Sequence, residues 1–325
     1  MVRYLRPAAF SAAALVLLLA MDGTPARTAD LALAADRVAT DRATTDRAPR
    51  IPPPPGQPGQ PAPPAPSARS VERATVLPDA GRAALLAGPR TLFTGAGFDA
   101  CSAPPLETMR AWHGNSPYGA VGVYTSGRQR ACAQSRLTSD WVRQVRALGW
   151  RLLPTHVGRQ APCSANPYKP QRIDPEHAVQ QGREEAAEAI RGVRAVGIGP
   201  GSPVFLDLEA YPPGDPACAR AVVEFTLGWT QALHGAGYWS GFYSSADSGI
   251  ADLSAAARAG AAPLPDTLWY ARWDSHPATD GGGALGEDQW NAHQRVHQYQ
   301  GNSTETYAGA TLTVDRDRLD TTVAR

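Results

Sequence analysis

The chain has 325 residues, of which 43% are hydrophobic, and its 31 basic and 30 acidic side chains give a formal net charge of +1. Acids and bases are interspersed and no basic run stands out, which argues against nucleic acid or an anionic membrane surface as a partner. The length would fit two average domains, but an α/β barrel of about 250 residues is often a single domain. Composition along the chain therefore has to decide the organisation.

Residues 1–29 are typical of an export signal. Arg3 and Arg6 precede an apolar run over 7–21, and small residues follow over 25–29, where a peptidase could cut. The two arginines are not adjacent, which favours the general secretory route over the twin-arginine route. An uncleaved membrane anchor is the alternative, but the apolar run is short for a membrane span. We therefore expect a secreted protein, extracellular or cell-wall associated, with no membrane span after signal removal.

A proline-rich segment over 30–88 comes next. Its central part, 50–67, contains four consecutive prolines and repeated Gly-Gln-Pro and Ala-Pro units. This composition predicts a linker without a core of its own, either an extended tether or a disordered tail. The remaining residues, 89–325, contain all four cysteines and all eight tryptophans, and we expect them to form one folded domain.

Short apolar runs alternate with helical patterns from residue 91 onward. Strands are predicted at 93–99, 120–125, 151–157, 203–209, 239–244, 268–273, 296–299 and 312–315, and helices at 106–113, 140–148, 176–196 and 218–234. Parallel strands need crossover connections, so this order predicts an α/β fold, a (β/α)8 TIM-type barrel that is incomplete in helices near its C-terminal end. An open doubly wound sheet is the alternative, but the glycines over 197–201 precede a strand and do not match a dinucleotide fingerprint.

Carboxylates stand at several predicted strand ends, where the active site of such a barrel forms. Asp207 and Glu209 end the fourth strand, two residues apart, so both side chains leave the same face with Cα atoms about 6.5 to 7 Å apart. Glycoside hydrolysis uses such a pair, one protonated acid and one carboxylate, about 5 to 9.5 Å apart. Asp99 and Asp315 end the first and eighth predicted strands; for these two, bonding to loop amides is the structural alternative.

Apolar residues flank the carboxylate pair at 204–206 and 208. A carboxyl group among them should have a raised pKa, which suits Glu209 as general acid with Asp207 as its partner. Aromatic side chains near the same strand ends could stack on sugar rings, although core packing would also explain many of them. The predicted substrate-binding residues are Tyr124, Tyr211, Tyr243, Trp273, Asp274 and Tyr299.

The four cysteines, an even number in an exported chain, predict disulfides with three possible pairings. The simplest pairing joins neighbouring loops, Cys101 with Cys132 and Cys163 with Cys218. Metal binding is the alternative, but the cysteine spacing does not match a zinc ribbon or knuckle, and the seven histidines form no HExxH motif. We therefore expect neither a metal nor a cofactor.

Several motifs occur in an order that resembles one protein family. They are TGAGFDAC at 94–101, RACA at 130–133, VFLDLEAY at 204–211, GFYS at 241–244, WYARWD at 269–274, HQY at 297–299 and VD at 314–315. They resemble the actinobacterial secreted glycoside-hydrolase-like barrel family, which is similar to the Chalaropsis-type lysozymes (muramidases) that cleave peptidoglycan glycan strands. The resemblance implies that Asp99, Asp207, Glu209 and Asp315 line the site. It also implies that Glu209 is the acid, while Asp207 stabilises positive charge or orients an N-acetyl group.

Three functions stay open at this point. The first is a glycoside hydrolase that acts on cell-wall polysaccharide, and the second is a non-catalytic barrel that binds glycans or other envelope components. The third is a protein-interaction or envelope-remodelling factor. We expect a polysaccharide substrate or ligand as the partner, and a monomer.

Overall fold

The structure, a computed structural model, describes residues 80–325. The predicted export signal, 1–29, lies outside the described residues, as does the predicted linker up to residue 79, so both stay predictions. Among residues 80–325, no helix combines the length and apolar character needed to cross a bilayer.

Eight strands close into one barrel in chain order. The strands are β1 (Leu92–Asp99), β2 (Tyr118–Ser126), β3 (Arg151–Val157), β4 (Pro203–Asp207), β5 (Trp239–Ser245), β6 (Thr267–Ala271), β7 (Arg295–Tyr307) and β8 (Ala310–Thr322). The helices are α1 (Ala80–Ala87), α2 (Leu106–Trp112), α3 (Ser139–Ala147), α4 (Ala178–Ala195), α5 (Pro216–Gly235) and α6 (Ala251–Arg258), with a π-helical turn, Ala246–Ile250, before α6. The predicted TIM-type barrel with few helices near its C-terminal end is confirmed, and α1 is an addition within the segment predicted as linker.

Side-chain caps explain where two of the helices begin. Thr138 accepts a hydrogen bond from the Trp141 backbone N–H at 3.1 Å and starts α3. Asp215 accepts from two backbone N–H groups at the start of α5, where Pro216 also fits the first helical position. These caps determine where the crossover helices after the second and fourth strands begin. The two helices lead the chain back to the start of the next strand.

Two apolar clusters hold the barrel together. The inner cluster fills the barrel itself and includes Phe205, Trp269 and Leu319. The outer cluster lies between the strands and the helices and includes Phe98 and Trp229. Because side chains alternate along a strand, Phe98 faces the helices while its neighbour Asp99 lines the cavity at the barrel end.

The last strand differs from the expected parallel barrel. Strand β8 runs antiparallel to both β7 and β1, and β7 and β8 form a hairpin of two 13-residue strands. Register shifts between Gln298 and Ser303 bend this hairpin. Its tip packs on the outer layer, where the Trp112 indole donates to the Ala310 carbonyl at 2.9 Å and Tyr307 meets the Trp112 ring edge-on. The hairpin thus covers part of the outer wall that a helix covers elsewhere.

Helices α4 and α5 approach each other at a glycine contact. A Cβ at Gly182 would come within 2.0 Å of the Phe225 carbonyl oxygen. We expect Gly182→Ala to lower the free energy of unfolding by about 1 to 3 kcal/mol, because the helices would have to separate. Gly199→Ala is the matched control, since a Cβ there meets nothing within 4 Å. Denaturant unfolding of both variants checks this, and equal stabilities would show that the helix contact tolerates a methyl group.

Candidate active site

A cavity of about 750 Å³ opens at the carboxyl ends of the parallel strands. All four predicted catalytic residues line it: Asp99, Asp207, Glu209 and Asp315. Basic side chains also line it, Lys169 from the loop between β3 and α4 and Arg130 from the loop after β2. The arrangement is a polar cavity with acids on several sides and aromatic rings between them.

A buried glutamine fixes the turn that carries the carboxylate pair. The Gln160 side chain donates to the Asp207 carbonyl at 3.1 Å and accepts from the Glu209 backbone N–H at 2.8 Å. Strand β4 ends at Asp207, so Glu209 lies two residues beyond the strand, on backbone held by this amide. Gln160 therefore sets how far Glu209 reaches into the cavity.

The two carboxylates of the pair lie in different surroundings. Asp207 is only 5% exposed, and no described residue hydrogen-bonds its Oδ1. Burial is the main cause that raises the pKa of Asp207 to about 6; the Lys169 ammonium, 3.6 Å from its Oδ2, works against this shift, and Glu209 adds to it. Glu209 has a side chain that is 37% exposed, forms an ion pair with Lys169 and accepts from the Asn166 amide at 2.8 Å. The sequence predicts a buried environment for Glu209, but in the structure Asp207 is the buried member of the pair.

Asp99 faces this pair from β1. Its carboxylate accepts from the Tyr124 hydroxyl at 2.7 Å and from the Gln298 amide at 2.9 Å. Burial first, and then the charge of Asp315, raise the pKa of Asp99 to about 7, although the two donors oppose the shift. Asp99 is thus a carboxyl group that can hold a proton near neutral pH.

Asp315 reaches the cavity by a different route from the predicted one. It lies inside β8, not at its end, and pairs with Asp99 because β8 is antiparallel to β1. The Asn302 backbone N–H donates to it at 2.6 Å, and burial raises its pKa. Asp317, two residues on, is fully buried, accepts from the Trp269 indole at 2.9 Å, and has its pKa raised by burial and by Asp99.

These raised pKa values predict how stability depends on pH. A carboxyl whose pKa is about 7 when folded and near its ordinary 3.8 when unfolded binds more protons in the folded state between those two pH values. Stability should therefore fall as pH rises from about 4 to about 7, each raised pKa unit corresponding to about 1.4 kcal/mol. We expect Asp99→Asn to reduce this slope, measured as the free energy of urea unfolding against pH. Parallel slopes in the variant and the wild type would contradict it.

A family model described as "Rv2525c-like, glycoside hydrolase-like domain" matches residues 110–319. The chain belongs to this family. The resemblance drawn from the sequence motifs is thereby confirmed. Among curated proteins, none matches the sequence significantly.

Solved structures with a similar fold accompany this family match. An uncharacterized B. stearothermophilus protein is 18% identical, with 69% of this chain and 95% of that chain covered and a TM-score of 0.45. The Mycobacterium tuberculosis Tat-secreted protein Rv2525c, in complex with HEPES, is 15% identical, with 69% and 95% covered and a TM-score of 0.46. A muramidase from Acremonium alcalophilum is 19% identical, with 69% and 92% covered and a TM-score of 0.39.

The six predicted substrate-binding residues of this glycoside hydrolase-like domain divide into two groups. Tyr124, Tyr243 and Trp273 line the cavity, and Trp273 is 59% exposed. The other three lie outside its lining. Tyr211 is buried and donates to Asp252 at 2.5 Å, because the chain turns away from the barrel after β4. The exposed Asp274 accepts from the His276 backbone N–H, and Tyr299 packs against His297.

Gln298 links the aromatic wall to the acids. Its carbonyl oxygen accepts from the Tyr243 hydroxyl at 3.0 Å and the Trp273 indole at 3.1 Å, while its amide donates to Asp99. In the sequence, Gln298 stands out only as the middle residue of the HQY motif. The rings and the acid therefore hold one another in fixed orientations.

Sequence reasoning also missed Lys169, Asn166 and Asp317. Lys169 could have been singled out from the sequence, because it is the only lysine of the chain. Asp317 is the second acidic residue of an Asp-x-Asp pair on β8. Asp207 and Glu209 have the same spacing. Both predicted disulfides are present, Cys101–Cys132 and Cys163–Cys218. Among residues 80–325, no group of three or more acidic, histidine or cysteine side chains is arranged to hold a metal ion.

Proposed function

We propose that this protein is a secreted glycoside hydrolase that acts on a peptidoglycan-like cell-wall polysaccharide. The observation that carries the proposal is the carboxylate pair of Asp207 and Glu209 beside an exposed indole, Trp273, in one cavity of about 750 Å³. Glycoside cleavage needs two carboxyl groups near one bond, and sugar rings stack on exposed aromatic faces.

The difference in exposure supports the roles of the two carboxyl groups. Glu209 is the more exposed member, so it can contact a glycosidic oxygen and act as general acid. Asp207 lies deeper, where it would stabilise the positive charge that develops on the sugar or orient an N-acetyl group. Asp99 and Asp315 would contact the substrate from the opposite wall.

The ring arrangement supports a saccharide as the ligand. Gln298 fixes the edge of Trp273, so one face of the exposed indole stays available for stacking. Tyr124 and Tyr243 present hydroxyl groups already ordered by Asp99 and Gln298. A polysaccharide would thus meet an apolar face and fixed polar groups together, as glycan sites require. The two disulfides suit an oxidising compartment, which agrees with secretion, and we expect the protein to act as a monomer.

The test is the release of new reducing ends. Purified protein is incubated with peptidoglycan and, separately, with other envelope polysaccharides, and the products are identified by mass spectrometry. The expected result is release from peptidoglycan, and the product masses identify the bond that is cut. The absence of new reducing ends from every substrate would refute hydrolase function.

A specific contact favours a second function, a barrel that binds glycans without cutting them. Both oxygens of Glu209 are engaged in the structure, one by Lys169 and one by the Asn166 amide. Glu209 is thereby held in place as a hydrogen-bond acceptor by two fixed donors, as in a site that orients a ligand. This function predicts saturable glycan binding that survives Glu209→Gln, with no cleavage by either protein.

A further inference from the structure

Lys169 stands apart in both sequence and structure. It is the only lysine among the 31 basic lysine and arginine residues, so arginine serves every other cationic position of the chain. Elsewhere in the described residues the ion pairs with carboxylates are formed by arginine and histidine, for example by Arg316 with Glu305 and by Arg272 with Asp247. A lysine at this one position of the cavity therefore indicates that the site requires a compact cation, which a planar guanidinium group does not provide.

The surroundings of Lys169 show why a compact cation fits this position. The residue is 7% exposed, and its Nζ contacts Glu209 directly and lies 3.6 Å from Asp207 Oδ2. Burial opposes the charge of the ammonium group, but the two carboxylates outweigh it and raise the pKa of Lys169 above its ordinary value. One compact ammonium group is thus shared by both members of the candidate catalytic pair.

The loop that carries Lys169 is held firmly in place. Arg172 donates to the backbone carbonyls of Ser164 and Asn166, at 2.9 and 2.7 Å, and to that of Lys169 itself. The Cys163–Cys218 disulfide ties the same loop to the first turn of α5. Lys169 is therefore presented to the pair by rigid backbone, as a preorganised site requires.

Other titratable groups lie around the pair, but Lys169 has only two carboxylate partners among the described residues. The other titratable groups that interact electrostatically with Asp207 are His156 on β3, Asp99 on β1, Tyr124 on β2 and Tyr243 on β5. Of these, only His156 can carry a positive charge, and its ring nitrogens bond Ser126 and Glu185. Lys169 is therefore the cation in direct contact with the pair.

We propose that Lys169 is a positioning residue of this site, whose ammonium group is shared by Asp207 and Glu209 and sets the pH below which the pair holds the proton that glycoside cleavage needs. The inference rests on the proposed function. A cation beside a carboxyl group stabilises its charged form, so Lys169 confines the protonated acid to lower pH. Removing the ammonium group should extend activity toward higher pH.

The first test is the pH profile of cleavage for wild type, Lys169→Met and Lys169→Arg. We expect the basic limb of the Lys169→Met profile to move to higher pH by about one to three units, the shift that an opposite charge at this distance produces. Lys169→Arg should keep the limb near its wild-type position but lose rate, because a guanidinium fork cannot occupy the same point between the two carboxylates. Cleavage by Lys169→Met with an unmoved basic limb would overturn the proposal.

A chemical rescue separates the loss of the ammonium group from any loss of packing in Lys169→Met. Lys169→Cys is treated with 2-bromoethylamine, which forms a thioether and restores an ammonium group at nearly the same distance. We expect the treated protein to recover the wild-type limb, whereas the untreated protein should resemble Lys169→Met. Recovery of rate without recovery of the limb would contradict the proposed role.

The second test needs no cleavage. Because the chain has one lysine, acetic anhydride adds at most one side-chain amide, which is distinguished by peptide mass from acetylation of the terminal amine. We expect acetylation of Lys169 to be slow in the wild type and about tenfold faster in Glu209→Gln, because the loss of one neighbouring carboxylate lowers the pKa of the ammonium group and leaves more of the reactive free amine. If the wild type cleaves no glycan, the proposed function fails, and this labelling still tests whether Glu209 holds the ammonium group of Lys169. Equal labelling rates in both proteins would overturn it.

Discussion

Glu209→Gln is expected to lower the rate of glycan cleavage by about 10²- to 10⁴-fold, the range that general acid catalysis contributes. Glutamine keeps the size of the side chain and can still contact Asn166, so the fold and the cavity should be unchanged. What is lost is the proton that Glu209 would give to the leaving oxygen. The rate of new reducing ends from peptidoglycan measures the effect, and glycan affinity should change little.

A matched control separates this loss from a general change of charge in the cavity. Asp247 lines the same cavity and pairs with Arg272, outside the Asp207–Glu209 pair. Asp247→Asn removes one carboxylate as Glu209→Gln does, and it should keep most of the activity. Glu209 is not the acid if Glu209→Gln keeps a large part of the wild-type cleavage rate while Asp247→Asn loses most of that rate.

Removing the disulfide between Cys163 and Cys218 is expected to lower the free energy of unfolding by about 4 kcal/mol, the chain-entropy value for a closed loop of this size. The two cysteines are 55 residues apart, and the bond anchors the loop that presents Lys169 and Asn166 to Glu209. The Cys163→Ser, Cys218→Ser double variant should therefore lose activity even at temperatures where it remains folded. Thermal unfolding and cleavage at low temperature measure the two effects separately.

The other disulfide provides the comparison. Cys101 and Cys132 are 31 residues apart, so their removal should destabilise the protein by a similar amount. That bond joins the loops after β1 and β2 and does not hold the Lys169 loop. Equal losses of low-temperature activity in the two double variants would show that the Lys169 loop keeps its geometry without its disulfide.

Much of the site could be predicted because parallel strands bring their ends together. Asp99, Asp207 and Glu209 follow from the rule that carboxyl ends of strands meet at one end of a barrel. The cysteine pairing follows from the same rule, since loops after neighbouring strands are neighbours. In each case the prediction needed only the order of strands and the residue at each end.

Other features depend on information that strand patterns lack. The apolar pattern of β8 does not specify direction, although the two-residue connection Ala308–Gly309, with both φ angles positive, is a hairpin turn that the sequence could have indicated. The prediction of Tyr211 as a substrate-binding residue depends on a fourth strand that reaches Glu209, two residues beyond the actual end of β4 at Asp207. The contacts of Lys169 could not be predicted, because the long loop between β3 and α4 has no periodic pattern.

The bent hairpin of β7 and β8 has a consequence for how a ligand would enter. Residues 302 and 313–315 line one wall of the cavity, and this wall is held at one end by the barrel and at the other by the packing of Tyr307 and Ala310 on α2. A wall fixed at both ends does not close over a ligand, so binding against it involves little loss of backbone entropy. We expect this side of the cavity to have the same width before and after binding. Association at this wall should then be limited by diffusion and orientation, with no slow closing step.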